Sequence, residues 1–340
     1  MLALNALTYT SCDNDSDNSN NNSSENAILT TDEITTSLKT DIAIEDVAIL
    51  VNDQFEAKIG ITSNPATPAA PYTSMLPANA EVSSVDLTSG TPAVTTRTIT
   101  ITFGANDKTC VFRGHTLKGQ IILVHPFTTS ATKTMTVTFN NFTINGNTIE
   151  GKGDWKQEMV ATPTAHSKAT LTMTDIKYTT SIGTYLRNGW IVREITNGYS
   201  TRLDLTDDVN SVNEAYVTLS PTNYLLSSFT IATLNTPLVY KTSCSLASSP
   251  IPFAGSGTHF IIKGTHSAVI KFGTGDCDNS SRLAIDLKLQ EHFTAPIQYN
   301  SNLYAIVPVT DPPTTPPTNA ELIAKFDAKF DAIAVPFTLE

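Results

Sequence analysis

The chain has 340 residues, enough for one large or two modest domains, and carries a formal net charge of −11 with 16% charged residues. That charged share is well below the roughly 25% usual in soluble domains, and Thr, Ser and Asn take its place. No run of Lys and Arg occurs, which argues against phosphate-backbone binding, so nucleic acid is not an expected partner.

At the N-terminus, residues 1–11 (MLALNALTYTS) are mostly apolar or small, and Cys12 follows them. The next stretch, DNDSDNSNNNSSEN, has no apolar side chain that could join a core. An apolar segment ending in a small residue and Cys, then a polar tether, resembles the end of a bacterial lipoprotein signal peptide. The acidic residues behind the cysteine resemble surface-export signals of Bacteroidetes lipoproteins. The resemblance implies a signal-peptide remnant over 1–11, lipidation at Cys12 and a disordered polar stalk over 12–26. It also implies a membrane partner through the lipid anchor, at the outer membrane or cell surface. No positively charged n-region precedes the apolar stretch, so the expected signal starts upstream of Met1. The plainer alternative is an ordinary apolar N-terminus with a free thiol. Elsewhere no stretch of about 20 apolar residues occurs, so no membrane-spanning helix is expected.

Residues 27–60 read as a helical segment. Ile34, Leu38, Ile42, Val47, Leu50 and Phe55 recur at near-helical spacing, Thr31 or Asp32 can cap the start, and Gly60 can stop it. Residues 61–82 hold four prolines and read as an irregular connector.

From 83 to 292 the period changes to two, and the fold class is mainly β. TRTITITF puts Ile99, Ile101 and Phe103 on one face and Thr98, Thr100 and Thr102 on the other. Asn145-Gly146 between FTI and NTIEG predicts a type I′ hairpin. Short turns and no intervening helical pattern predict antiparallel meanders. These form one extended sheet or two related β-lobes, 83–235 and 236–292. The lobes are suggested by a weak repeat, TITITFGANDKTC against AVIKFGTGDC. Residues 308–318 form a Pro-rich spacer. A short amphipathic C-terminal helix over 319–334, with Leu322, Phe326, Phe330 and Ile333 on one stripe, is expected to dock on its own domain.

The succession TITITFG, LKGQI, VTFNNFTINGNTIEG, TPLVYKTSC and IKFGTGDCDN resembles an uncharacterised family of β-rich lipoproteins from Bacteroidetes, flavobacteria in particular. The likeness covers roughly residues 30 to 290 and is most specific at the Gly-Asp-Cys-Asp-Asn turn. It supports location and architecture and implies no activity. In that pattern a cysteine stands some 30 residues before each Phe-Gly-turn cysteine; Cys244 stands so before Cys277, whereas Cys110 lacks such a partner. An exported chain favours disulfides. Cys244–Cys277 is the expected pair, and the alternatives are a pair that involves Cys110 or no disulfide.

Four sets of residues remain as candidate sites. Asp276, Asp278 and Asn279 offer the oxygen ligands that Ca²⁺ prefers, although Asp, Asn and Gly also build ordinary tight turns. Apart from that Ca²⁺ candidate, no cofactor and no other metal is expected. Asp204, Asp207 and Asp208 read as a solvated turn, and His259 and His266 as residues at an exposed hairpin. Trp155 and Trp190 stand beside glycines and charges, where tryptophans can stack on sugar rings or pack at a sheet margin. No nucleophile elbow, zincin helix or phosphate loop occurs. The expectation is therefore a non-enzymatic surface lipoprotein in binding, adhesion or envelope structure, partnered by a polysaccharide or an envelope protein. The alternatives are a glycan-binding component of a nutrient-uptake system and a β-fold hydrolase.

Overall fold

The computed structural model describes residues 28–60, 74–285, 299–300, 303–304 and 319–337, except for 129, 159–166, 182, 199–207, 222–227, 234–235, 246–253, 265 and 278–279. The expected signal remnant, Cys12, the stalk and the spacer lie outside the described residues.

Helix α1 (Thr31–Phe55) is capped by Thr30, one residue before the expected cap. Thr30 is the residue three positions before Glu33, and that spacing closes a reciprocal capping box. Glu33 N–H donates to Thr30 Oγ1 at 3.2 Å, while Thr30 N–H donates to Glu33 Oε2 at 2.8 Å. The helix widens into a π turn over Glu56–Gly60. The apolar positions read from the spacing are buried, but so are the polar positions between them. From Thr40 to Phe55 every residue is buried.

The chain then builds β1 (Glu81–Ser89), β2 (Val94–Phe103), β3 (Cys110–Phe112) and β4 (His115–Pro126). The long meander follows: β5 (Thr132–Ile144), β6 (Asn147–Glu158), β7 (Lys168–Thr179), β8 (Thr184–Asn197) and β9 (Val209–Pro221). Next come β10 (Phe229–Ala232), β11 (Leu238–Lys241), a single helical turn α2 (Thr242–Ser245), β12 (Gly257–Lys263), β13 (His266–Phe272) and β14 (Ser281–Ile285). A separate two-residue pair, β15 (Tyr299–Asn300) and β16 (Leu303–Tyr304), precedes helix α3 (Asn319–Ile333) and β17 (Val335–Phe337). One antiparallel sheet runs in the order β1-β2-β4-β5-β6-β7-β8-β9-β10-β12-β13-β14-β17, with β3 beside β4 and β11 beside β9. Of the two architectures left open by the sequence, the single extended sheet is the one formed. The Asn145-Gly146 hairpin is present, with φ of 49° and 80°, both positive as a type I′ turn requires.

The sheet must curl around α1. In strand order β4 and β12 are seven steps apart, roughly 34 Å in a flat sheet. Yet His115 of β4 and His259 of β12 both reach carboxylates on α1, a helix about 10–12 Å across. The curl follows a line of bulges. Register shifts occur in each pairing from β4–β5 to β8–β9. Gly119, Asn141, Gly151, Asp175 and Gly189, one at each shift in successive strands, all have positive φ. Bulges bend a strand and deepen its twist, so a row of them gives the sheet a corner. At Gly119 (φ +86°) only glycine fits, because a Cβ would stand 2.0 Å from the Asn141 carbonyl oxygen.

Inward residues of the strands, among them Ile99, Ile101, Phe103, Ile121, Leu123, Leu171 and Ile270, form one core with Ile34, Leu38, Val47, Leu50 and Phe55 of α1. On the opposite face α3 covers β12, β13 and β14 as expected, with Phe326 and Phe330 against Phe260, Val269 and Ala284. Leu322 lies outside the described side chains, and Ile333 is exposed rather than docked. Lys271 Nζ, 2.5 Å from Asp327 and 4.3 Å from the Phe330 ring centre, anchors α3 to β13. No helix among the described residues is long and apolar enough to cross a membrane.

Candidate functional site

The densest group of ionisable side chains lies inside the curl. From Thr40 to Phe55 the helix has no solvated face, so each acid there needs a counter-charge or a hydrogen-bond donor. Asp41 is held by Arg187 of β8 on one oxygen and by His259 Nε2 of β12, at 3.1 Å, on the other. Glu45 pairs with Arg193, also on β8. Asp46 accepts from Arg113 at 2.9 Å and stands 2.5 Å from His115 Nδ1. Glu33, already closing the cap, meets Lys263 of β12 at 2.8 Å through its other oxygen. Nearer the helix end, Asp53 accepts from Met75 N–H at 2.7 Å and from Ser74 Oγ at 2.8 Å.

Burial pushes the Asp41 carboxyl up, but Arg187 and His259 outweigh it and hold the group below its ordinary value, as a carboxylate. The Tyr178 phenol is pushed up to about 12, chiefly by burial, with the Asp41 charge adding to the rise and the Asn147 hydrogen bond opposing it. An Asp beside a His is the raw material of acid–base catalysis. Here the His259 side chain is 1% exposed and that of Arg187 is 0% exposed, and Asp41 is shared between them. The arrangement is a charge clamp between a helix and its surrounding sheet.

Of the residues singled out in the sequence, only His259 belongs to this clamp. Cys244 and Cys277 form a disulfide, which ties α2 to the turn after β13. Cys110 is a free, buried thiol whose sulfur accepts the Gly104 N–H at 3.2 Å. The two Phe-Gly turns thus use their cysteines differently, one as a covalent staple and one as a local acceptor. Asp276 lies in the described part of its turn, while Asp278 and Asn279 lie outside the described residues. Among the described residues no group of three His, Cys, Asp or Glu side chains is placed to hold a metal ion.

Trp155 does not offer a stacking face. It is 2% exposed, packed in the core, and its Nε1–H donates to Gln157 Oε1 at 3.2 Å. Its strand position faces α1, and burial of the indole dominates over the polar character of its sequence neighbours. Trp190 is half-buried and lies on the outer face, since its neighbours Ile191 and Arg193 point inward. Two further readings change. His259 is enclosed beside Asp41 rather than at an exposed hairpin. Asp208 is buried, with its carbonyl accepting the Thr242 N–H at 2.9 Å, whereas Asp204 and Asp207 lie outside the described residues.

Apart from His259, the clamp residues do not stand out in the sequence, because each acid and its partner stand far apart in the chain, 146 residues for Asp41 and Arg187 and 230 for Glu33 and Lys263. One signal was available. Asp41, Glu45 and Asp46 interrupt an otherwise apolar stretch, and the inward face of β8 carries Arg187 and Arg193 at even spacing. No family model, curated protein or solved structure matches the chain.

Proposed function

We propose that this chain is a lipid-anchored protein of the outer membrane or cell surface, tethered through Cys12, whose helix-filled sheet serves binding, adhesion or envelope structure rather than catalysis. The observation that carries the non-enzymatic part is that α1 fills the curl of the sheet. The groups best suited to acid–base or electrostatic work are paired in that interior, Asp41 with Arg187 and His259, Glu45 with Arg193, and Asp46 with Arg113 and His115. The outer surface is then the working face. Its strands carry rows of threonine, such as Thr98, Thr100 and Thr102 on β2 and Thr170, Thr172 and Thr174 on β7, which suit a solvated display surface.

The anchor rests on the sequence ahead of α1, where an apolar stretch ends at Ser11-Cys12 and a polar tract follows. A glycan-binding role would draw on Trp190, since Trp155 is enclosed. The test of the anchor is fatty-acid labelling of the product of the full-length gene in a bacterium that processes lipoproteins. Label is expected on the wild-type chain and lost in Cys12→Ser. Equal labelling of the two overturns the proposal.

A further inference from the structure

The two ends of the sheet are built differently. At one end stands β17, three residues long with Pro336 in the middle, a strand that offers little to a new neighbour. At the other end stands β1, nine residues long, paired with β2 over its full length with no register shift. All nine residues of β1 are exposed. Among the described residues no strand pairs with its other side. Of the devices that blunt an edge it has no Lys, no Pro and no bulge, and its one inward-pointing charge, Asp86, is already held by Arg97. Val85 and Leu87, 65% and 66% exposed, share the outer face with Val94 of β2, 44% exposed.

We propose that β1 is a dimerisation edge that pairs antiparallel with β1 of a second copy, on a two-fold axis through Val85. Three observations select this occupant. First, the strand is self-complementary in that register. Val85 meets the second copy's Val85, Leu87 meets Ser83, Asp86 meets Ser84 and Glu81 meets Ser89, so no like charges are opposed. Centring the axis one residue further would set Asp86 against Asp86. Second, head-to-tail growth of β1 onto β17 of another copy is blocked by the short, proline-bearing edge there, so the contact closes as a symmetric pair. Third, the inward side of β1 is already quiet. Arg97 holds Asp86 with two hydrogen bonds of 2.8 Å, which neutralises the acid nearest the axis. What opposes association is the charge of −11 on each copy, which salt screens.

The measurement is sedimentation velocity on the full chain over a concentration series, in low and in high salt. The wild type is expected to associate reversibly to a dimer, more tightly in high salt. Because residue 85 meets itself on the axis, Val85→Lys and Val85→Glu each place like charges in contact and are expected to weaken association by roughly fivefold or more. An equimolar mixture of the two variants is expected to recover a heterodimer, an outcome open only to folded chains. A wild type that stays monomeric in both salts overturns the proposal. So do single variants that associate like the wild type, or a mixture that does not recover.

Discussion

Asp41 answers both Arg187 and His259 in the interior. Asp41→Asn keeps the shape and removes the charge that Arg187 and His259 share in the interior. Removing one partner of a buried pair costs on the order of 3–5 kcal/mol, and the urea midpoint is expected to fall accordingly. The same residue sets an acid limit. Its carboxyl is held below the ordinary 3.8 in the fold, so the unfolded chain takes the proton first as pH falls. The stability it contributes is complete above about 3.8 and is lost as pH drops from there through the folded value. His125 acts in a higher window. Burial holds its imidazole below 6.5, so the unfolded chain is again protonated first and stability declines as pH falls below that value. Unfolding free energy measured against pH is expected to show both slopes, with the lower one flattened in Asp41→Asn. Residues such as Ile99, Ile101 and Phe103 were legible because alternation alone decides their face. Asp41 was not, because its partners come from strands 146 and more residues away.

At the scale of elements, α1 is joined to the sheet at its first turn. Thr30 provides the cap alone, whereas Glu33 both completes the capping box and meets Lys263. Thr30→Ala is expected to cost about 1 kcal/mol, the usual value of an N-cap. Glu33→Ala is expected to cost more, because the Lys263 side chain, 4% exposed, is left without its carboxylate. Parallel denaturant titrations check the order, and equal losses would mean that the Lys263 contact contributes nothing. The helix itself was legible from apolar spacing, and its hairpin partner elements from Asn-Gly and from alternation. The bulge row was not read from the sequence, since Asn141 and Asp175 adopt positive φ only where neighbouring strands demand it.

For the whole molecule, a single sheet curls over its own N-terminal helix, and the larger of its two cores is built from both together. A chain lacking residues 28–60 is expected to show no cooperative thermal transition, because the inward faces of β2 to β14 would surround no packing partner. A cooperative melt near that of the intact chain would mean that the sheet folds alone. Local spacing and local backbone preference suffice for the elements and their faces, the period-two β region after one helix, the type I′ turn and the apolar stripe of α3 that holds Phe326 and Phe330. Long-range packing is what makes one sheet instead of two lobes, puts Trp155 and His259 inside, and buries the acids of α1 against Arg113, Arg187, Arg193 and Lys263. Those outcomes depend on how far the sheet curls, and curl is the sum of twist and bulges over many strands, which no short stretch of sequence contains.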